Sequence, residues 1–192
     1  MARSIGAAAT GAGLVLLVGE VVDDDGDEDG ERVDVPRPDA VGTLPSGFLV
    51  VASSKREAFY TLHTFSGPTR RSGFVRCTFA GKEYRGVVSV VAEDLALVTF
   101  EEDLEIEPIP LAESYQEGNR VFIFTRDNGT ISSSIDSLND GRIRTEYIAT
   151  TGDSGSVVLR QNADEPSGYE LVTVIQQFFG IGPDLREVFP PE

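Results

Sequence analysis

The chain has 192 residues, with 32 acidic side chains against 16 basic ones and a formal net charge of −16. Such a charge repels phosphate, and no basic patch stands out, so nucleic acid is excluded as an expected partner. A single cysteine, Cys77, excludes an intrachain disulfide framework, and the length suits one domain or two small halves sharing an interface.

Residues 1–22 are small and apolar after Arg3, with a charge-free stretch from Ile5 to Gly19. This is shorter than the roughly 20 residues of a membrane span, and no A-x-A cleavage site follows the leucines. A signal-peptide core, a signal anchor and an apolar tail or strand packed on the domain all remain open. Membrane association through residues 5–22, or export, is therefore one expectation. The run "DDDGDEDGERVD" holds eight acids and one arginine. At that density like charge repels itself, so residues 23–44, with their prolines, read as an acidic linker. The run lacks the flanking helices of a calcium loop.

From Gly47 onward short alternating or apolar runs recur: "GFLVVAS", "EAFYTLH", "GFVRCTF", "YRGVVSVVA" and "LALVTF". Gly, Pro or charged turns separate them, which is the pattern of strands. Cys77 falls in one of these runs as a small core-facing residue. After a Pro-containing connector a second set begins with "NRVFIFT" and ends with "YELVTVIQQFF". "DNG" at 127–129 and "NDG" at 139–141 predict hairpins, because these pairs tolerate positive φ. No long amphipathic helix is evident. The chain reads as all-β, with an N-terminal barrel over 45–108, a connector over 109–118 and a C-terminal barrel over 119–192.

"TTGDSGSVVL" sets Asp153-Ser154 on a tight corner between two glycines, ahead of an apolar strand. A serine that attacks a carbonyl needs a base to take its proton and an acid to orient that base. The sole histidine is His63, in "AFYTLHTF", and Asp94 follows in "AEDLALVTF". Each residue alone fits an ordinary turn or strand position. Together they fall in the order His, Asp, Ser on an all-β chain of two halves.

The chain resembles the chymotrypsin-like (trypsin-fold) serine peptidases. "TGDSGSVV" is similar to that family's nucleophile motif, "EDLALV" to its acid motif and "YTLHTF" more loosely to its histidine segment, and the resemblance covers about residues 45–180. The short loops and missing disulfides are more similar to compact viral and bacterial members. The resemblance implies two antiparallel β-barrels with the active site between them. It implies Ser154 as nucleophile, His63 as general base and acid, and Asp94 as the residue fixing the histidine tautomer. The N–H groups of Gly152 and Ser154 would form the oxyanion hole, and Asp153 would help shape the loop. Substrate-binding positions would be Ile148, Ile175, Gln176, Gln177 and Phe178. Ile148 stands about where trypsin carries an acidic pocket floor, and Phe178 near a usual glycine, where it would narrow the pocket. A small or apolar residue before the cut is the resulting expectation. "VGTLPSGF" lacks the I-V-G-G start of activated members, which implies activity without that switch. The expected partner is a polypeptide substrate, its own polyprotein or C-terminus included, with no cofactor and no metal. A catalytically silent trypsin-fold binding module, a capsid-like protease that cuts in cis and then blocks itself, and an unrelated β-barrel binding protein are the alternatives.

Overall fold

The computed structural model describes residues 30–64, 73–150, 152–177 and 180–190. The apolar segment 1–22, the acidic residues 23–29 and Phe178 lie outside the described residues. Strand β1 (Glu31–Val33) precedes a closed six-stranded barrel made of β2 (Val41–Thr43), β3 (Leu49–Ala52), β4 (Glu57–Thr61), β5 (Gly73–Phe79), β6 (Lys82–Ala92) and β7 (Leu95–Phe100), in the order β2-β3-β4-β7-β6-β5. The long strand β6 shows why the barrel closes. Tyr84, Gly86 and Val88 turn inward while Glu83, Arg85 and Val87 face out, the period-two alternation of a half-buried strand. Phe79, Tyr84 and Phe100 meet in the interior as a ring cluster, with centroids 6.0–6.2 Å apart. Cys77 is fully buried among them, the core position its strand pattern indicates.

The second half is a sheet of β8 (Arg120–Phe124), β9 (Thr130–Asn139), β10 (Arg142–Thr145), β11 (Val157–Gln161), β12 (Tyr169–Val174) and β13 (Ile181–Pro183), in the order β12-β11-β8-β9-β10-β13. It forms a half-barrel with its own core of Val121, Ile123, Ile135, Ile143, Val158 and Val172. The hairpins expected at 127–129 and 139–141 join β8 to β9 and β9 to β10. Asp140 and Gly141 both take positive φ, 52° and 69°, as a tight two-residue turn requires.

Two stretches differ from the expectation of a linker up to residue 44. Residues 31–33 form β1, antiparallel to β9, and residues 41–43 form β2, the first barrel strand. Three-residue strands are too short to show a period, so their partner edges specify them rather than their own pattern. Strand β8 covers one edge of β9, so β1 and β10 share the other, and β1 fills the end that β10 leaves open.

The crossing between the halves runs over residues 101–119 and is pinned along its length. Leu104 N–H donates to Lys55 O (2.7 Å) and Ile109 N–H to Ala52 O (2.9 Å), on the barrel side. Ala112 N–H donates to Leu171 O and Leu171 N–H to Pro110 O, on the sheet side. After β13, Asp184 caps the one-turn helix α1 (Leu185–Val188), and Phe189 packs on Phe59 of the barrel with ring centroids 5.1 Å apart. Among the described residues, no helix is long and apolar enough to cross a membrane.

Candidate active site

His63 sits in a single 3-10 turn, Leu62–Thr64, at the end of β4. Its position is fixed from three sides. Leu62 N–H donates to Asp94 O (2.9 Å), Thr64 Oγ1 donates to Thr61 O (2.6 Å), and Thr61 Oγ1 donates across the halves to Ile175 O (3.0 Å). Asp94 occupies the two-residue turn between β6 and β7 with φ of 57°, a left-handed conformation that Asp tolerates better than most residues. That turn delivers its carboxylate to His63 at two points. Oδ1 accepts from the backbone N–H at 2.9 Å, and Oδ2 lies 2.5 Å from ring Nδ1. A carboxylate can only accept, so Nδ1 carries the proton and Nε2 is left as the basic nitrogen.

Ser154 follows Gly152 and Asp153 on a loop with glycines in positive φ on either side, Gly152 at 107° and Gly155 at 85°. A side chain at either position would be strained, so glycine is what allows the bend. Gly155 N–H donates to Ile175 O (2.7 Å) and Ile175 N–H to Ser156 O (2.9 Å), tying the loop to the end of β12. A Cβ on Gly155 would stand 3.3 Å from Thr64 Cγ2, so the 152–155 loop and the histidine turn are in direct contact. The N–H groups of Gly152 and Ser154 donate to nothing among the described residues, and Ser154 Oγ makes no hydrogen bond there, to His63 or elsewhere.

The residue beside the serine is the most heavily bonded in the loop. Asp153 is buried, with 2% of its surface exposed. Its carboxylate accepts from Tyr147 Oη (2.8 Å), Thr150 N–H (2.7 Å), Thr150 Oγ1 (2.9 Å) and Asn128 Nδ2 (3.2 Å). Burying a carboxylate without partners would cost several kcal/mol or more; four donors offset this. Burial, and then the bond to Asp153, push the Tyr147 phenol well above its ordinary value, so it stays a donor.

A cleft of about 620 Å³ lies between the two halves. Phe48, His63 and Thr64 line it from the barrel, and Ala149, Thr150, Gly152, Ser154 and Ile181 from the sheet. Gln176 and Gln177 also line it. Gln176 Nε2 donates to Glu93 O (3.2 Å), and Gln177 Oε1 accepts from Arg142 (3.1 Å). Ile175 is fully buried and serves through its backbone; Ile148 is 42% exposed and lines no part of this cleft. Thr61, Thr64, Asn128, Tyr147 and Arg142 carry no sequence signal of their own, since each is recognisable only by what it touches. Among the described residues no three His, Cys, Asp or Glu side chains stand together to hold a metal ion.

Among solved structures the chain is similar to kallikrein-related peptidase 10 in complex with Zn2+, with a TM-score of 0.57 over 78% of this chain and 91% of that one, at 12% identity. No family model and no curated protein matches the sequence. The architecture is that of the trypsin-like serine proteases, one closed barrel and one half-barrel with a cleft between them.

Proposed function

We propose that the protein is a serine endopeptidase, of a compact disulfide-free type, that cleaves polypeptide through an acyl-enzyme. The observation that carries this reading is the doubly held His63–Asp94 pair on one wall of a cleft whose other wall presents Ser154. Ser154 Oγ attacks the scissile carbonyl while His63 Nε2 takes its proton. Asp94 keeps the ring in the required tautomer and stabilises the imidazolium that forms. The unengaged N–H groups of Gly152 and Ser154 receive the developing oxyanion, an interaction worth about 3–4 kcal/mol per donor in such sites. His63 Nε2 then returns the proton to the leaving amine, and water resolves the ester by the same route in reverse.

Beyond the histidine, the lining from Phe48, Ala149, Thr150, Ile181 and the two glutamines is uncharged. That lining supports an uncharged, small or apolar residue before the cut. The absent Ser154–His63 hydrogen bond favours a second reading, a catalytically silent module of the same fold. Catalytic hydrogen bonds often tighten only with substrate bound, so the first reading stands ahead of it.

Fluorophosphonate labelling of the full chain tests the proposal, because the probe reacts with an activated serine. Covalent labelling that both Ser154→Ala and His63→Ala abolish is the expected result. A folded protein that takes up no label, at any pH at which it stays folded, and that Phe178→Gly does not restore, would establish the silent module.

A further inference from the structure

Residues 30–37 touch the second sheet at the two segments that hold Asp153. Strand β1 pairs Val33 with Thr130, Arg32 with Ile131 and Glu31 with Ser132. Thr130 Oγ1 donates to Val35 O (2.7 Å), and Arg37 Nη2 donates to Thr125 O (2.9 Å). Both ends of the Thr125–Thr130 turn are thus tethered to the preceding chain. Asn128, inside that turn, is fixed by its N–H bond to Thr125 Oγ1 (2.9 Å) and donates to Asp153. Gly30 lies so close that a Cβ there would stand 2.6 Å from Ile131 Cγ2 and 3.8 Å from Tyr147 Cδ2, which sets the strand against the Tyr147 ring.

The four donors to Asp153 are not equivalent. Thr150 supplies two of them from within the same loop, so those bonds travel with the loop if it moves. Asn128, from the β8–β9 turn, and Tyr147, two residues past β10 and packed in the core of the second half, supply the other two, and among the four donors these alone hold the carboxylate from outside the 150–154 stretch. The loop itself is permissive, with glycine in positive φ on both sides of Asp153-Ser154. Its geometry therefore has to be imposed from outside.

We infer that residues 30–37 form a positioning strap. By fixing the Thr125–Thr130 turn and the Tyr147 ring, they set the Asp153 carboxylate and with it the Gly152–Ser154 loop. The effect on reactivity rests on the proposed peptidase activity; the mechanical coupling does not.

The test uses the full chain carrying Thr130→Val, which removes the hydroxyl bonded to Val35 O, and the same chain with Gly30→Val added. Amide hydrogen exchange is followed at 31–37, 125–130 and 147–155, with the barrel strands 84–100 as reference. Fluorophosphonate labelling of Ser154 is timed in parallel. The expected result is faster exchange in all three segments, unchanged exchange in the barrel, and labelling slowed at least about tenfold, since a displacement of the order of 1 Å in such a site costs that much or more. Should the double variant lose protection in the barrel as well, Thr130→Val alone provides the comparison. Wild-type protection at 147–155 beside a loosened 31–37 would overturn the inference. So would unchanged exchange at 31–37, or a loosened strap with labelling undiminished. If the unaltered chain itself takes no label while the three segments still loosen together, the peptidase reading falls and the strap's hold on the loop stands.

Discussion

The carboxylate of Asp94 grips His63 twice, by ring Nδ1 at 2.5 Å and by the backbone N–H at 2.9 Å. Asp94→Asn separates orientation from chemistry. Asn tolerates the same positive φ and can still accept from the backbone N–H. Its amide group then faces Nδ1, which forces the ring proton onto Nε2 and removes the base. Labelling of Ser154 should fall by about 10³–10⁴-fold, as the wrong tautomer does in such triads, while the thermal midpoint stays nearly constant. Labelling at the unaltered rate would show that His63 does not act as the base.

Two glycines of the barrel offer a contrast in what a methyl group costs. A Cβ on Gly42 would meet Thr78 O at 2.2 Å and Phe79 Cδ1 at 2.6 Å, where β2 closes the barrel against β5. Gly42→Ala should destabilise by about 3 kcal/mol, the upper part of the overpacking range. Gly47 has open space around it but a φ of 82°, so Gly47→Ala should cost only about 1–2 kcal/mol, from backbone strain. Urea unfolding of the two variants checks the order.

Burial in the barrel pushes the Cys77 thiol up to about 12. The thiolate is the reactive form, so native protein at pH 8 should resist aromatic disulfide reagents, and one equivalent should react after unfolding in urea. Rapid modification of folded protein would place Cys77 nearer solvent than its buried position allows.

Asp184 links the C-terminal turn to the sheet. Burial by itself raises the pKa of its carboxyl, but bonds from Arg186, from Tyr115 Oη (2.5 Å) and from the Arg186 N–H outweigh burial and hold it below the ordinary value. A carboxyl depressed on folding adds stability that is complete above its unfolded pKa, near 4, and is lost as pH falls through the lower folded value. Urea midpoints measured from pH 7 down to 3 should fall below about pH 4, and Asp184→Asn should flatten that part of the slope while lowering stability at pH 7. An identical acid slope in the variant would assign it to other carboxylates.

Much of this was legible in the residue order. Alternation in "EYRGVVSV" and its neighbours marked the barrel strands because each buries one face, and the Asn-Gly and Asp-Gly pairs marked two hairpins. Strands β1 and β2 were not legible, since three residues make no period and their partners lie far along the chain. The order His63, Asp94, Ser154 points to a candidate site from the sequence alone. The donors around Asp153 were invisible, because Asn128 and Tyr147 look like any turn and strand residue until the fold brings them to one carboxylate. The expected pocket positions fall in different places. Gln176 and Gln177 line the cleft, but one residue of difference along a strand or loop turns a side chain away, as at Ile148 and Ile175. Phe178 lies outside the described residues.

The carbonyl of Ile175 accepts from both Gly155 N–H, beside the serine, and Thr61 Oγ1, two residues before the histidine. One atom, just past β12, thus joins the two walls of the cleft. During synthesis, His63 and Asp94 leave the ribosome long before that atom exists, and Ser154 emerges before the end of β12, to which its loop is tied. The nascent polypeptide therefore carries the His63–Asp94 pair and the Ser154 loop unjoined until Ile175, just past β12, has been made. The two walls of the cleft are thus brought together only after both have been synthesised.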